Sequence, residues 1–77
     1  MSDVRRRLIG CFTAVFPALP ESAVPTATAS TVGGWDSLAT VNLVAVVEEE
    51  FKIQTRPEDV ELFGSFAQIL QFLEARA

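Results

Sequence analysis

The sequence predicts an all-α domain, a small four-helix bundle with a long first loop and a short third helix, and three observations carry that prediction. Apolar residues recur at helical spacing in three separate stretches; proline, glycine and small residues crowd the interval between the first two; and capping residues stand where helices should begin. With 77 residues the chain is a single domain, 1–77, near the size at which one core is just sufficient. Hydrophobic residues make up 49% of it, too many for a disordered tail, so a compact fold is expected.

The first helix is predicted over Asp3 to Phe16, where Val4, Leu8, Cys11, Phe12, Val15 and Phe16 share one side and Arg6, Gly10 and Thr13 the other. Gly10 costs it about 1 kcal/mol relative to alanine, so tertiary packing has to hold the segment. Residues 17 to 36 contain Pro17, Pro20, Pro25, Gly33 and Gly34 with no sustained period, which reads as a long ordered loop that can hide a short helical turn. Trp35 at its end is read as a lid on the core. Asp36 is a good N-cap for a second helix over Ser37 to Phe51. In TRPEDVELFG, Pro57 suits a first-turn position and Gly64 a stop, giving a short third helix. Ser65 and Gln68 form a capping-box pattern before Phe66, Ile69, Leu70, Phe72 and Leu73, the apolar face of the last helix. The core is expected where Val44, Val47 and Phe51 meet Phe63, Phe66 and Ile69.

One cysteine and no histidine exclude an internal disulfide and remove the usual general base, so the chain is not expected to be an enzyme. Cys11 lies on the apolar arc and is read as a buried small hydrophobe. The net charge is -4, and the acids gather in the middle: Asp36, Glu48, Glu49, Glu50, Glu58, Asp59 and Glu61 face only Lys52 and Arg56 between residues 33 and 63. That pattern repels nucleic acid and attracts basic protein surfaces. No stretch is long enough to span a membrane, and LIGC at residues 8 to 11 lacks the apolar run that precedes the cysteine of a lipoprotein signal. A cytoplasmic, monomeric protein is expected.

At about 100 degrees per residue, Thr40, Leu43, Val44, Val47 and Phe51 occupy one side of the second helix and suffice to face the core. Leu38, Val41 and Ala45 form a surplus apolar stripe beside Asn42, Glu48 and Glu49. Either the helix is covered over most of its surface, or the stripe is an exposed docking face for a basic partner helix. Ser37, at the border of the stripe in the first turn, is placed where a phosphate ester would meet free backbone N–H groups and the positive end of the helix dipole. A nucleophilic role would need a base the chain does not supply.

DSLATVNLVAVVEEEFKI closely resembles the second helix of acyl carrier proteins. The resemblance implies that Ser37 carries a 4'-phosphopantetheine arm, attached from coenzyme A by a phosphopantetheinyl transferase, with Asp36 taking part in holding the magnesium ion during loading. It implies that Leu38, Val41 and Ala45 are the apolar part, and Glu48 and Glu49 the acidic part, of a face for acyl-loading and acyl-transferring enzymes of lipid or polyketide biosynthesis. No metal or catalytic residue of the chain's own is implied. The sequence departs from the fatty-acid synthesis members, which usually read GADSLDTVELV: Ala39 and Asn42 are neutral here, and Gly33-Gly34-Trp35 precedes Asp36. The paired glycines are similar to those of peptidyl carriers, which leaves an aminoacyl or peptidyl carrier as the alternative, beside a helical interaction module without a prosthetic group.

Overall fold

In the computed structural model, which describes residues 3–76, α1 spans Asp3–Val15, α2 Ser37–Phe51 and α3 Phe66–Glu74. Two 3-10 helices complete the described secondary structure, one at Glu21–Thr26 inside the long loop and one at Pro57–Leu62 before α3. The chain is therefore all-α, and the turn hidden in the loop is real. The short third helix closes with three-residue rather than four-residue spacing, and Asp59 stands astride its start. The Asp59 carboxylate accepts from Arg56 N–H at 2.9 Å while Asp59 N–H donates to the Arg56 carbonyl at 2.9 Å.

The helix starts follow local chemistry. Asp36 adopts extended backbone and its carboxylate accepts from Ala39 N–H at 2.9 Å, which satisfies one of the orphan donors of α2. Ser65 does the same for α3, accepting from Gln68 N–H at 3.1 Å and donating to the Gln68 side chain at 3.3 Å. At the other end of α2, Lys52 takes the left-handed conformation (φ 57°) and its N–H reaches the Glu48 carbonyl, so the chain leaves the helix abruptly.

The core centres on α1, which packs against α2, α3 and the first 3-10 helix. Leu8, Cys11 and Phe12 are its buried residues. Phe12 holds ring contacts with Phe16 at 6.0 Å, Trp35 at 5.5 Å and Phe66 at 5.4 Å, the latter two edge-on as the aromatic quadrupoles favour. Leu43 and Val47 of α2, Val24 of the loop, Phe63 before α3, and Phe66, Ile69, Phe72 and Leu73 of α3 complete the interior. Val44 and Phe51, expected in the core, are only partly buried against it. Phe51 ends α2 and is covered on one face by the Arg7 guanidinium, 4.5 Å from its ring centre.

The long loop is tied at its middle and again near its end. Ala29 N–H donates to the Gly64 carbonyl at 2.9 Å and Phe66 N–H to the Ala27 carbonyl at 3.0 Å, an antiparallel bridge that pins the loop beside the start of α3. Gly34 has φ 87°, a conformation side chains resist, and it turns Trp35 inward. Trp35 is 6% exposed, so it is a lid whose underside is core. No helix among the described residues is long and apolar enough to cross a membrane.

Cys11 is buried, and burial first, then the charge of Glu50, pushes its thiol up to about 11. The thiolate is the reactive form, so iodoacetamide at pH 8 should leave the native protein essentially unalkylated and modify it fully once urea is added, as intact mass would report. Rapid alkylation without denaturant would mean that Cys11 lies on a surface.

Candidate functional site

The site grows from the way α2 begins. Trp35 Nε1 donates to Thr40 Oγ1 at 2.9 Å, and that hydroxyl donates on to the Asp36 carbonyl at 3.1 Å, so the buried indole clamps the first turn of the helix. Asp36 uses its carboxylate on Ala39 and its carbonyl on Thr40 N–H at 2.9 Å. The N–H groups of Ser37 and Leu38 are left without a partner among the described residues, beside an exposed Ser37 hydroxyl. The helix below them runs 15 residues, long enough for its dipole to favour an anion there.

Beyond Ser37 the apolar stripe is open to solvent: Leu38 is 68% exposed and Val41 62%, and Ala45 is exposed with them. These side chains lie opposite Leu43 and Val47, which face the core, and so the alternative of a helix covered all round does not hold. Of the two neutral positions, Asn42 is exposed, whereas Ala39 packs partly against the core and has a packing reason to be small.

The three consecutive glutamates do three different things. Glu48 turns to the following loop, where one carboxylate oxygen accepts from Thr55 N–H at 2.7 Å and Thr55 Oγ1 at 2.8 Å. Glu50 accepts from Arg7 Nε at 2.7 Å and, through its carbonyl, from the same guanidinium at 2.5 Å, joining α2 to α1. Glu49 alone of the three is left to solvent, with no partner among the described residues. The acidic rim of the stripe is thus Glu49, which is free among the described residues, and Asp36, which is exposed while capping α2, with Glu48 beside them held by Thr55. Sequence periodicity finds the face and misses this division, because the partners Thr55 and Arg7 lie on other segments.

No protein-family model, curated protein or solved structure matches the chain.

A feature with no sequence signal lies next to the site. The end of α1 and the turn after it, residues 15–20, face residues 31–34 across an open cleft of about 420 Å³. Among the described residues no group of three or more His, Cys, Asp or Glu is placed to hold a metal ion.

The Thr55 hydrogen bonds, the backbone one first, hold the Glu48 carboxyl below the usual carboxylate range. A group whose folded pKa is depressed stabilises the fold above its unfolded pKa, and that contribution fades as pH falls through the folded value. Glu48→Ala should therefore melt below the parent at neutral pH, with the gap closing as the solution is acidified past the depressed value. Thermal melts of both proteins across pH check this; a gap independent of pH would show that Glu48 acts through packing.

Proposed function

We propose that this protein is a carrier of the acyl carrier protein kind: it holds acyl intermediates as thioesters on a 4'-phosphopantetheine arm attached to Ser37 and presents them to partner enzymes. The observation that carries the reading is the exposed Ser37 hydroxyl beside two unpartnered N–H groups at the start of a long helix, bordered by an open apolar stripe. A serine fixed for structure would cap the helix; here Asp36 does that, and Ser37 is left over. The fold is read as a four-helix bundle in which Pro57–Leu62 serves as the short third helix.

The residues present suit the arm. A phosphate on Ser37 Oγ would lie against the Ser37 and Leu38 N–H groups, which need an acceptor. Asp36 keeps a carboxylate at the surface next to it, where a magnesium ion shared with a phosphopantetheinyl transferase can be met. The bound arm supplies a terminal thiol, chemistry that the buried Cys11 cannot offer. Leu38, Val41 and Ala45 present a strip that a basic partner helix would cover, with Asp36 and Glu49 meeting its cations at the rim. The reading makes the protein a carrier, with the catalysis done by its partners. Gly33 and Gly34 before the serine favour, as a second reading, an aminoacyl or peptidyl cargo on the same arm.

The decisive measurement is intact mass after incubation with coenzyme A, magnesium and a broad-specificity phosphopantetheinyl transferase, where one added phosphopantetheinyl group is expected. No increment would leave a helical interaction module. Glu49→Lys should slow loading, and the deficit should shrink with added salt; exposed charge pairs are worth only about 0.2 to 1 kcal/mol each, so the effect is modest. Equal rates at low salt would remove Glu49 from the partner face.

A further inference from the structure

The Ser37 hydroxyl is exposed and has no hydrogen-bond partner among the described residues, so only its backbone aims it. That backbone is held from the interior. Trp35 is buried, its ring lies 5.5 Å from that of Phe12 and 5.3 Å from that of Phe16, and its backbone N–H donates to the Val32 carbonyl at 3.2 Å. An indole nitrogen can only donate, so Thr40 Oγ1, 2.9 Å away, has to accept from it. The hydroxyl has a single proton of its own, and that goes to the Asp36 carbonyl at 3.1 Å. The same carbonyl accepts Thr40 N–H at 2.9 Å, so both of its lone pairs are engaged. It belongs to the planar peptide unit that joins Asp36 to Ser37, and holding that plane fixes where Ser37 begins.

We propose that Trp35 is a positioning residue for the loading reaction: through Thr40 it locks the peptide between Asp36 and Ser37 and so holds the Ser37 hydroxyl in line for transfer. The inference rests on the carrier reading of Ser37. In that reaction Ser37 Oγ attacks the pantetheine-side phosphorus of coenzyme A. The new O–P bond forms as the diphosphate bond breaks, 3',5'-adenosine bisphosphate leaves, and the hydroxyl proton passes to a base of the transferase. Such a displacement needs the attacking oxygen aligned at about 3 to 3.5 Å, and a misplacement of about 1 Å can cost on the order of a hundredfold. The cap formed by Asp36 binds only Ala39 N–H, within the helix itself, whereas the indole ties the turn to the core. A turn fixed in advance has no ordering cost left to meet when it reacts. The link also leaves Leu38, Val41, Ala45 and Glu49 untouched, so its effect falls on the chemical step and spares docking.

The test measures kcat and KM for loading by a broad-specificity phosphopantetheinyl transferase with coenzyme A and magnesium, at a temperature where circular dichroism shows each variant folded. Trp35→Phe keeps a ring in the core and removes the N–H; Thr40→Val keeps the shape of Thr40 and removes the hydroxyl; Thr40→Ser keeps the hydroxyl. The first two should lose about tenfold in kcat with KM for the carrier unchanged, and Thr40→Ser should load like the parent. Combining Trp35→Phe with Thr40→Val should cost no more than the larger single loss, because both break one link. A merely structural role gives a different result: a partly unfolded carrier raises the apparent KM and keeps kcat at saturation. If Trp35→Phe does not fold, the two Thr40 variants, at a half-buried position, carry the test by themselves. Parental kcat in Trp35→Phe or Thr40→Val, a loss confined to KM, or no rescue by Thr40→Ser overturns this inference and leaves the carrier reading standing. A parent protein that gains no mass overturns both.

Discussion

Ser37→Ala should fold and melt like the parent and yet gain no phosphopantetheinyl group, a complete loss of loading without a loss of structure. Structure is preserved because the cap of α2 belongs to Asp36, and Ser37 is exposed in the first turn, where alanine is a good helix former. A surface change of this kind stays within about 0.5 kcal/mol. Loading is abolished because no other serine among the described residues repeats the arrangement. Ser65 spends its hydroxyl on capping α3, Ser30 lies in a turn where Thr28 Oγ1 is 3.0 Å from its own, and Ser22 sits inside a 3-10 helix of 6 residues. Intact mass and a thermal melt on the same sample decide it. A mass increment that survives in Ser37→Ala, or appears on Ser22, Ser30 or Ser65, would sink the assignment.

Phe12→Ala should be the most damaging single truncation, costing about 3 to 5 kcal/mol. The side chain is wholly inaccessible and touches the rings of Phe16, Trp35 and Phe66, so it joins α1, the long loop and α3 at one point. A chain of 77 residues is held by only roughly 4 to 12 kcal/mol in total, so a loss of this size takes a large share of the margin. Circular dichroism should show a largely unfolded protein at 37 °C or a broad, early transition. Phe51→Ala should cost clearly less, since Phe51 is half-buried and carries the Arg7 guanidinium over one face of its ring. If Phe51→Ala proved the more destabilising, the core would be centred on α2 and not on α1.

The comparison of those two phenylalanines shows what a sequence does and does not disclose. Helix phase puts Phe51 on the same arc as Leu43 and Val47, and phase is a local property, so the arc is right. Whether a position on the arc is covered depends on how far the neighbouring element extends, and at the last residue of α2 the ring is only partly buried against the core, with the Arg7 guanidinium over one face. Caps were legible for the same local reason: Asp36 and Ser65 each bond an N–H three residues ahead. Partner choices at a distance were not. Nothing in EEEF tells Glu48 from Glu50, yet one binds Thr55 and the other Arg7, 43 positions away. The cleft was illegible too, because VFPALP and TVGG each read as loop, and only their meeting makes a surface.

The indole clamp at the start of α2 gives the molecule a built-in optical probe. The chain has one tryptophan and no tyrosine, so its near-ultraviolet emission comes from a single ring. That ring is nearly dry, 5.3 Å from Phe16 and hydrogen-bonded through its nitrogen to Thr40 within the turn that carries Ser37. Its fluorescence should therefore be blue-shifted in the native state and move to the red on denaturation. Because the same side chain closes the core and anchors the turn that carries Ser37, a change in colour or anisotropy on incubation with coenzyme A and a transferase would register whether an event at that surface is felt inside, with no label added.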